Sequence, residues 1–150
     1  MYEKTRVLSD TNDEVTVLVI LDAISHAASA PQTIIEADTL KNAKPGFVDY
    51  RLTFKSITWG VDKNTSLVFL DSTAADSERI FIMPANTSGT FAGKIENDTA
   101  DPVGGDIAYH TDNGNTHGYF CVTFIKERGY DFTGKRYRKV AQPNPYLTNS

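Results

Sequence analysis

The sequence is poor in the residues that staple or cross membranes. It has one cysteine, Cys121, so an internal disulfide framework and any zinc site built on several cysteines are excluded. No apolar run reaches the roughly 18 residues of a membrane span, and the longest, Val15 to Ile24, is interrupted by Thr16 and Asp22. The start, Met1 to Arg6, leads into polar sequence and shows no secretory signal. There is no Gly-x-Ser-x-Gly elbow, no His-Glu-x-x-His and no phosphate-binding loop. Nucleophilic, zinc-hydrolase and nucleotide chemistry therefore lack their usual carriers, and the reading is of a soluble protein that is not an enzyme and needs no cofactor. Helical periodicity is scarce as well. Only Asp22–Ala30 and Asp38–Lys44 read as short helical turns, ended by Pro31 and by Pro45-Gly46.

What is present is a chain of 150 residues, 40% hydrophobic and 11% aromatic, long enough for one domain with its own core. Short apolar segments alternate with turn residues. Val15–Leu21, Val48–Val61, Ser66–Leu70, Glu78–Met83, Thr90–Ile95, Asp106–Thr111 and Thr116–Lys126 read as strands, the last being the longest. Within Val48–Val61 the apolar parity switches from Tyr50, Leu52 and Phe54 to Ile57, Trp59 and Val61, which points to a β-bulge near Lys55-Ser56 or to a strand crossing between sheets. Strands at roughly ten-residue spacing point to an all-β, single-domain antiparallel β-sandwich or jelly roll. We assign residues 1–129 to this domain, with its protease-resistant core at about 46–126. An N-terminal segment precedes the core. Residues 130–150, with Pro143, Pro145 and a basic cluster, read as an extended C-terminal arm that orders on assembly.

Asn113-Gly114 is a strong type I′ hairpin signal. A hairpin there sets Thr111 opposite Thr116, His110 opposite His117 and Ile107 opposite Phe120. Ile107, Tyr109, Phe120, Val122 and Phe124 then face the core, and His110, Tyr119, Cys121 and Ile125 face away. Opposed Cβ atoms lie about 4.5–5.5 Å apart, so His110 and His117 are near enough to share a divalent metal. The commoner alternative is a polar pair at a hairpin tip, and the sequence assigns no metal beyond this candidate. Asp98, Asp101, Asp106 and Asp112 are spaced unlike an EF-hand loop and read as turn residues. Asn64, Asn86 and Asn97 open glycosylation triplets of the kind that arise by chance in a sequence rich in Asn, Ser and Thr.

Charge is unevenly spread. Residues 1–125 carry nine Lys or Arg against seventeen Asp or Glu, whereas residues 126–150 carry six against two. An acidic body argues against nucleic acid as a partner. A basic tail on an acidic body fits pairing with a neighbouring subunit. The candidate partner-binding residues are Lys135, Arg136, Arg138 and Lys139, with Tyr137, Val140 and Tyr146 as apolar anchors.

The order of segments Leu52–Val61 (LTFKSITWGV), Thr65–Ser72 (TSLVFLDS), Glu78–Ile82 (ERIFI), Gly104–Thr111 (GGDIAYHT) and Gly118–Lys126 (GYFCVTFIK) resembles a family of small β-sandwich structural proteins of tailed bacteriophages. The resemblance covers about half the chain and rests on loose patterns. The arm beyond Lys126 and the apolar Phe69-Leu70 depart from it. It implies a virion structural protein, with capsid decoration, or cement, as the leading role. The implied partners are the major capsid protein and other copies of the chain in a homo-oligomer. The implied location is the capsid surface of the virion, after synthesis in the host cytoplasm. Neither a membrane nor nucleic acid is implied as a partner. Two alternatives stand beside it: a carbohydrate- or receptor-binding module using Trp59, Tyr109 and Tyr119 as a stacking platform, and a small tail or neck subunit.

Overall fold

The computed structural model describes residues 2–22, 31–70, 77–98, 102–111 and 115–131. Nine strands lie among them: β1 (Tyr2–Asp10), β2 (Glu14–Asp22), β3 (Gln32–Ile35), β4 (Arg51–Val61), β5 (Thr65–Leu70), β6 (Ser77–Met83), β7 (Thr87–Ile95), β8 (Ile107–Thr111) and β9 (His117–Arg128). They form two antiparallel sheets, one in the order β1-β2-β9-β4-β7 and the other in the order β3-β8-β5-β6. The sheets pack against each other as an all-β sandwich. A 3-10 turn at Ala37–Thr39 stands where a helical turn is expected over Asp38–Lys44.

Period-two patterning explains the layers. On β2, Val15, Val17, Val19 and Leu21 are buried while Ile20 is exposed on the other face. On β9, Phe120, Val122 and Phe124 point into the core. Burying each such side chain contributes about 1.5–3 kcal/mol relative to leaving it in water. The parity switch in β4 is a register shift between Phe54 and Ser56, present against both of its neighbours. The extra residue keeps Phe54 and Ile57 both buried across a stretch that strict alternation would split.

The expected β8–β9 hairpin is not formed. β8 is already paired on both sides, with β3 and β5, and β9 with β2 and β4, so neither has a free edge for the other. The chain crosses between sheets instead, and the expected loop, Asp112 to Gly114, lies outside the described residues. The core-facing residues are nevertheless those expected, because Tyr109 and Phe120 meet across the sandwich with ring centroids 5.6 Å apart. Close approach at the start of β9 requires glycine. Gly118 has φ +139°, and a Cβ there would collide with the Gly60 carbonyl oxygen.

The core extends beyond 46–126 at both ends. Upstream it includes Val15 to Leu21, and β1 is an edge strand of the larger sheet rather than a loose segment. Downstream, Tyr130 is buried, pairs with Ala43, and donates its hydroxyl to the Ala37 carbonyl at 2.8 Å. Residues 130 and 131, expected at the start of the arm, are therefore tied to the sandwich. Lys126, which by sequence position belongs to the basic tail, has no exposed surface. Its ammonium donates to Asp10 Oδ1 at 2.5 Å, to the Thr11 carbonyl at 2.6 Å and to the Lys41 carbonyl at 2.8 Å.

Removing the ammonium takes the shared donor from the partly buried Asp10 carboxylate and from the Thr11 and Lys41 carbonyls at once. We expect Lys126→Met to lower unfolding stability by about 3–5 kcal/mol, read from the urea midpoint at unchanged slope. A loss below about 1 kcal/mol would show that this end of the sandwich does not depend on the ammonium.

Candidate partner-binding surfaces

The antiparallel pairing of β3 with β8 sets Ile35 opposite Ile107. Glu36 comes directly after the first and Asp106 directly before the second, so residues 70 apart in sequence become neighbours. Asp106 Oδ1 accepts the Ala37 N–H at 2.9 Å. With Asp38, Phe47, Val48, Tyr50 and Gly104 they line an open groove of about 360 Å³. Val48 on its rim is 74% exposed, the highest value among the exposed large hydrophobic residues. The segment that carries Asp106 can press against Tyr50 only because residue 105 is glycine. Its φ is +85°, and a Cβ would come within 2.6 Å of the Tyr50 carbonyl oxygen.

No cation pairs with Glu36, Asp38 or Asp106 among the described residues. Burial raises the Asp106 carboxyl above its ordinary value. The Ala37 N–H works against this, and the neighbouring charges of Asp38 and Glu36 push the same way as burial. The nearest aromatic rim already holds a cation, since the Lys44 ammonium lies 5.6 Å from the centre of the Phe47 ring.

A second cleft, about 490 Å³, is lined by Arg51, Thr53, Glu96, Asn97, Asp98, Glu127 and Arg128. Its cations are already engaged. Arg51 Nε donates to Asp49 Oδ1 at 2.9 Å, its other arm donates to the Asn97 carbonyl at 2.7 Å, and Arg128 donates to Asp49 Oδ2. Asp49 also accepts the Val103 N–H at 3.0 Å. Burial pushes the Asp49 carboxyl up, but the Val103 N–H and the two guanidiniums outweigh it and hold the group below its ordinary value. This cleft is a structural knot between β4, β9 and the segment entering β8.

The remaining candidates are dispersed. His110 and His117 lie on strands of different sheets, and the partners opposite them are Ser66 and Asp22 respectively, so the expected pairing does not exist. His117 sits between two carboxylates, Nε2 3.4 Å from Asp22 and Nδ1 3.5 Å from Asp62. Among the described residues no group of three or more His, Cys, Asp or Glu is placed to hold a metal. Of the four loop aspartates, Asp98 and Asp106 fall in separate clefts, and Asp101 and Asp112 lie outside the described residues. Tyr109 is buried, and Trp59 packs edge-on against Phe81 at 5.0 Å while its N–H donates to Thr87 Oγ1. Only Tyr119 of the proposed stacking platform faces solvent. Burial raises the Cys121 thiol above its ordinary range, the reverse of an activated nucleophile.

The arm residues Lys135, Arg136, Tyr137, Arg138, Lys139, Val140 and Tyr146 lie outside the described residues. The structure fixes their point of departure. Asp131 donates its N–H to the Asn42 carbonyl at 2.8 Å, beside Tyr130 and its bond to Ala37. Sequence reasoning read Asp106 as a turn residue and singled out none of Glu36, Asp38 and Val48 for a site. The available signal was the exposed apolar Val48 between Gly46 and Asp49, and the acidic pair flanking Ala37. No family model matches the chain, and no curated protein or solved structure matches it significantly.

The depressed Asp49 carboxyl carries a pH dependence. Its folded value lies below the ordinary 3.8, so its contribution is complete above that value and is lost as pH falls through the folded value. We expect Asp49→Asn to be less stable than wild type at neutral pH and to lose less additional stability between about pH 4 and pH 2. Urea midpoints across that range test it. Parallel curves for the two proteins would contradict it.

Proposed function

We propose that this chain is a non-enzymatic virion structural protein, a capsid decoration protein that binds and stabilises the major capsid protein shell of a tailed bacteriophage. The observation that supports the reading is the uneven spread of charge along the sequence, an acidic body followed by a basic segment. The described residues up to Tyr130 are tied into one sandwich, and the segment 132–150 carries four cationic side chains and no acidic one. The segment 2–131 carries eleven Lys or Arg against nineteen Asp or Glu. A rigid body of one sign with an extension of the other is a device for joining copies and lattices, and it needs no chemistry. The resemblance of the β4, β5, β6, β8 and β9 segments to phage β-sandwich proteins supplies the setting.

Magnitudes support many contacts over one. An exposed ion pair contributes about 0.2–1 kcal/mol, so a single pair would not hold a copy on a particle. Four pairs with Tyr137, Val140 and Tyr146 as anchors, repeated over a lattice, accumulate through effective concentration. The carbohydrate-binding alternative loses its platform with Tyr109 in the core and Trp59 held by Phe81 and Thr87.

The test is co-sedimentation with capsids. Replacing Lys135, Arg136, Arg138 and Lys139 together by Ser should lower occupancy on particles while leaving the circular dichroism of the free protein unchanged. Wild-type occupancy should fall as salt rises toward about 0.5 M, where exposed charges are screened within a few ångströms. Full decoration by the quadruple variant at that salt would reduce the arm to a passive tail.

A further inference from the structure

We infer that the groove between Glu36, Asp38, Asp106 and the Phe47–Tyr50 rim receives the basic segment Lys135–Lys139 of a second copy of this chain. The inference rests on the reading of that segment as a clamp, and it does not depend on the capsid. Charge complementarity is the first support. Three carboxylates line the groove without a cation partner among the described residues, and the segment brings four cations within five residues. A volume of about 360 Å³ accommodates two or three side chains.

Shape is the second support. The groove has an apolar rim as well as an acidic floor, formed by Phe47, the exposed Val48 and Tyr50. Tyr137 stands in the middle of the basic segment, so an aromatic ring and flanking cations arrive together. Aromatic faces favour guanidinium and ammonium neighbours, as Lys44 over Phe47 already illustrates.

Reach is the third. Asp131 donates its N–H to the Asn42 carbonyl, and the basic segment begins four residues later in sequence. Fully extended, the eight residues after Asp131, up to Lys139, would span at most about 29 Å, enough to reach a groove on an adjacent copy. The contact uses different surfaces on the two partners, so it is heterologous and propagates from copy to copy until a ring closes.

The experiment uses three full-length proteins in sedimentation velocity: wild type, a groove variant (Glu36→Gln with Asp38→Asn) and an arm variant (Lys135→Ser, Arg136→Ser, Arg138→Ser, Lys139→Ser). Asp106 is left intact because it holds the Ala37 N–H. We expect wild type to self-associate at about 50 mM salt and to weaken about tenfold or more at about 0.5 M. Each variant alone should be monomeric. An equimolar mixture of the two variants, which restores one groove and one arm, should form a heterodimer. A wild type that stays monomeric at all salts, or a groove variant that associates like wild type, would overturn the inference. So would a mixture that fails to associate. Self-association as expected without binding to capsids would sink the decoration role and leave this contact standing.

Discussion

Lys126 donates to Asp10, Thr11 and Lys41 from a position with no exposed surface, and both the turn that leads from the acidic groove and the end of β9 are tied by that bond set. An ammonium has three donors, and here each finds an oxygen. The three acceptors lie on the β1–β2 turn and on the turn after the 3-10 segment, so one side chain pins both to the end of β9. Asp10 completes the link by accepting the Lys41 N–H with its second oxygen at 2.8 Å. The Tyr130 ring lies 5.4 Å from the ammonium and extends the same cluster to Ala37 through its hydroxyl. A buried pair of this kind adds little net stability over apolar packing, but it specifies one arrangement and is costly to break.

That arrangement places two features on one molecule. The 36–43 segment, held by Lys126 and Tyr130, carries Glu36 and Asp38 at its start. The β3–β8 pairing then brings Asp106 beside them. The same cluster ties residues 130 and 131 to the end of β9, the central strand of the larger sheet. An acidic groove on the sandwich and a basic segment later in the sequence fit the proposed joining of copies.

Much of the fold was legible because it depends on local alternation. The bulge beside Lys55 could be read from the parity switch between Phe54 and Ile57. The inward residues of β8 and β9 could be read without knowing their pairing, since a side chain's face depends on the pleat alone. The pairing itself was not legible. Asn113-Gly114 favours a hairpin locally, but whether β8 and β9 are free to pair depends on β2, β3, β4 and β5 having taken their edges. β1 was missed because an edge strand with one uncovered face shows little apolar alternation: Val7 and Leu8 are both exposed. Lys126 and the acidic groove were missed for a related reason. The oxygens around Lys126 come from 85 to 116 residues away, and Glu36 meets Asp106 only through sheet register. Sequence shows charge; burial and partnership of charge are tertiary facts.

A multi-copy structural component of a particle must be present in that particle in large and fixed number. Quantitative mass spectrometry of purified virions whose genome encodes the chain measures this most directly, with the major capsid protein as internal standard. The account predicts hundreds of copies per particle, in a fixed ratio to the capsid protein and stripped by high salt. A tail- or neck-like count of a few copies would contradict the decoration role, and absence from the virion would contradict the account as a whole.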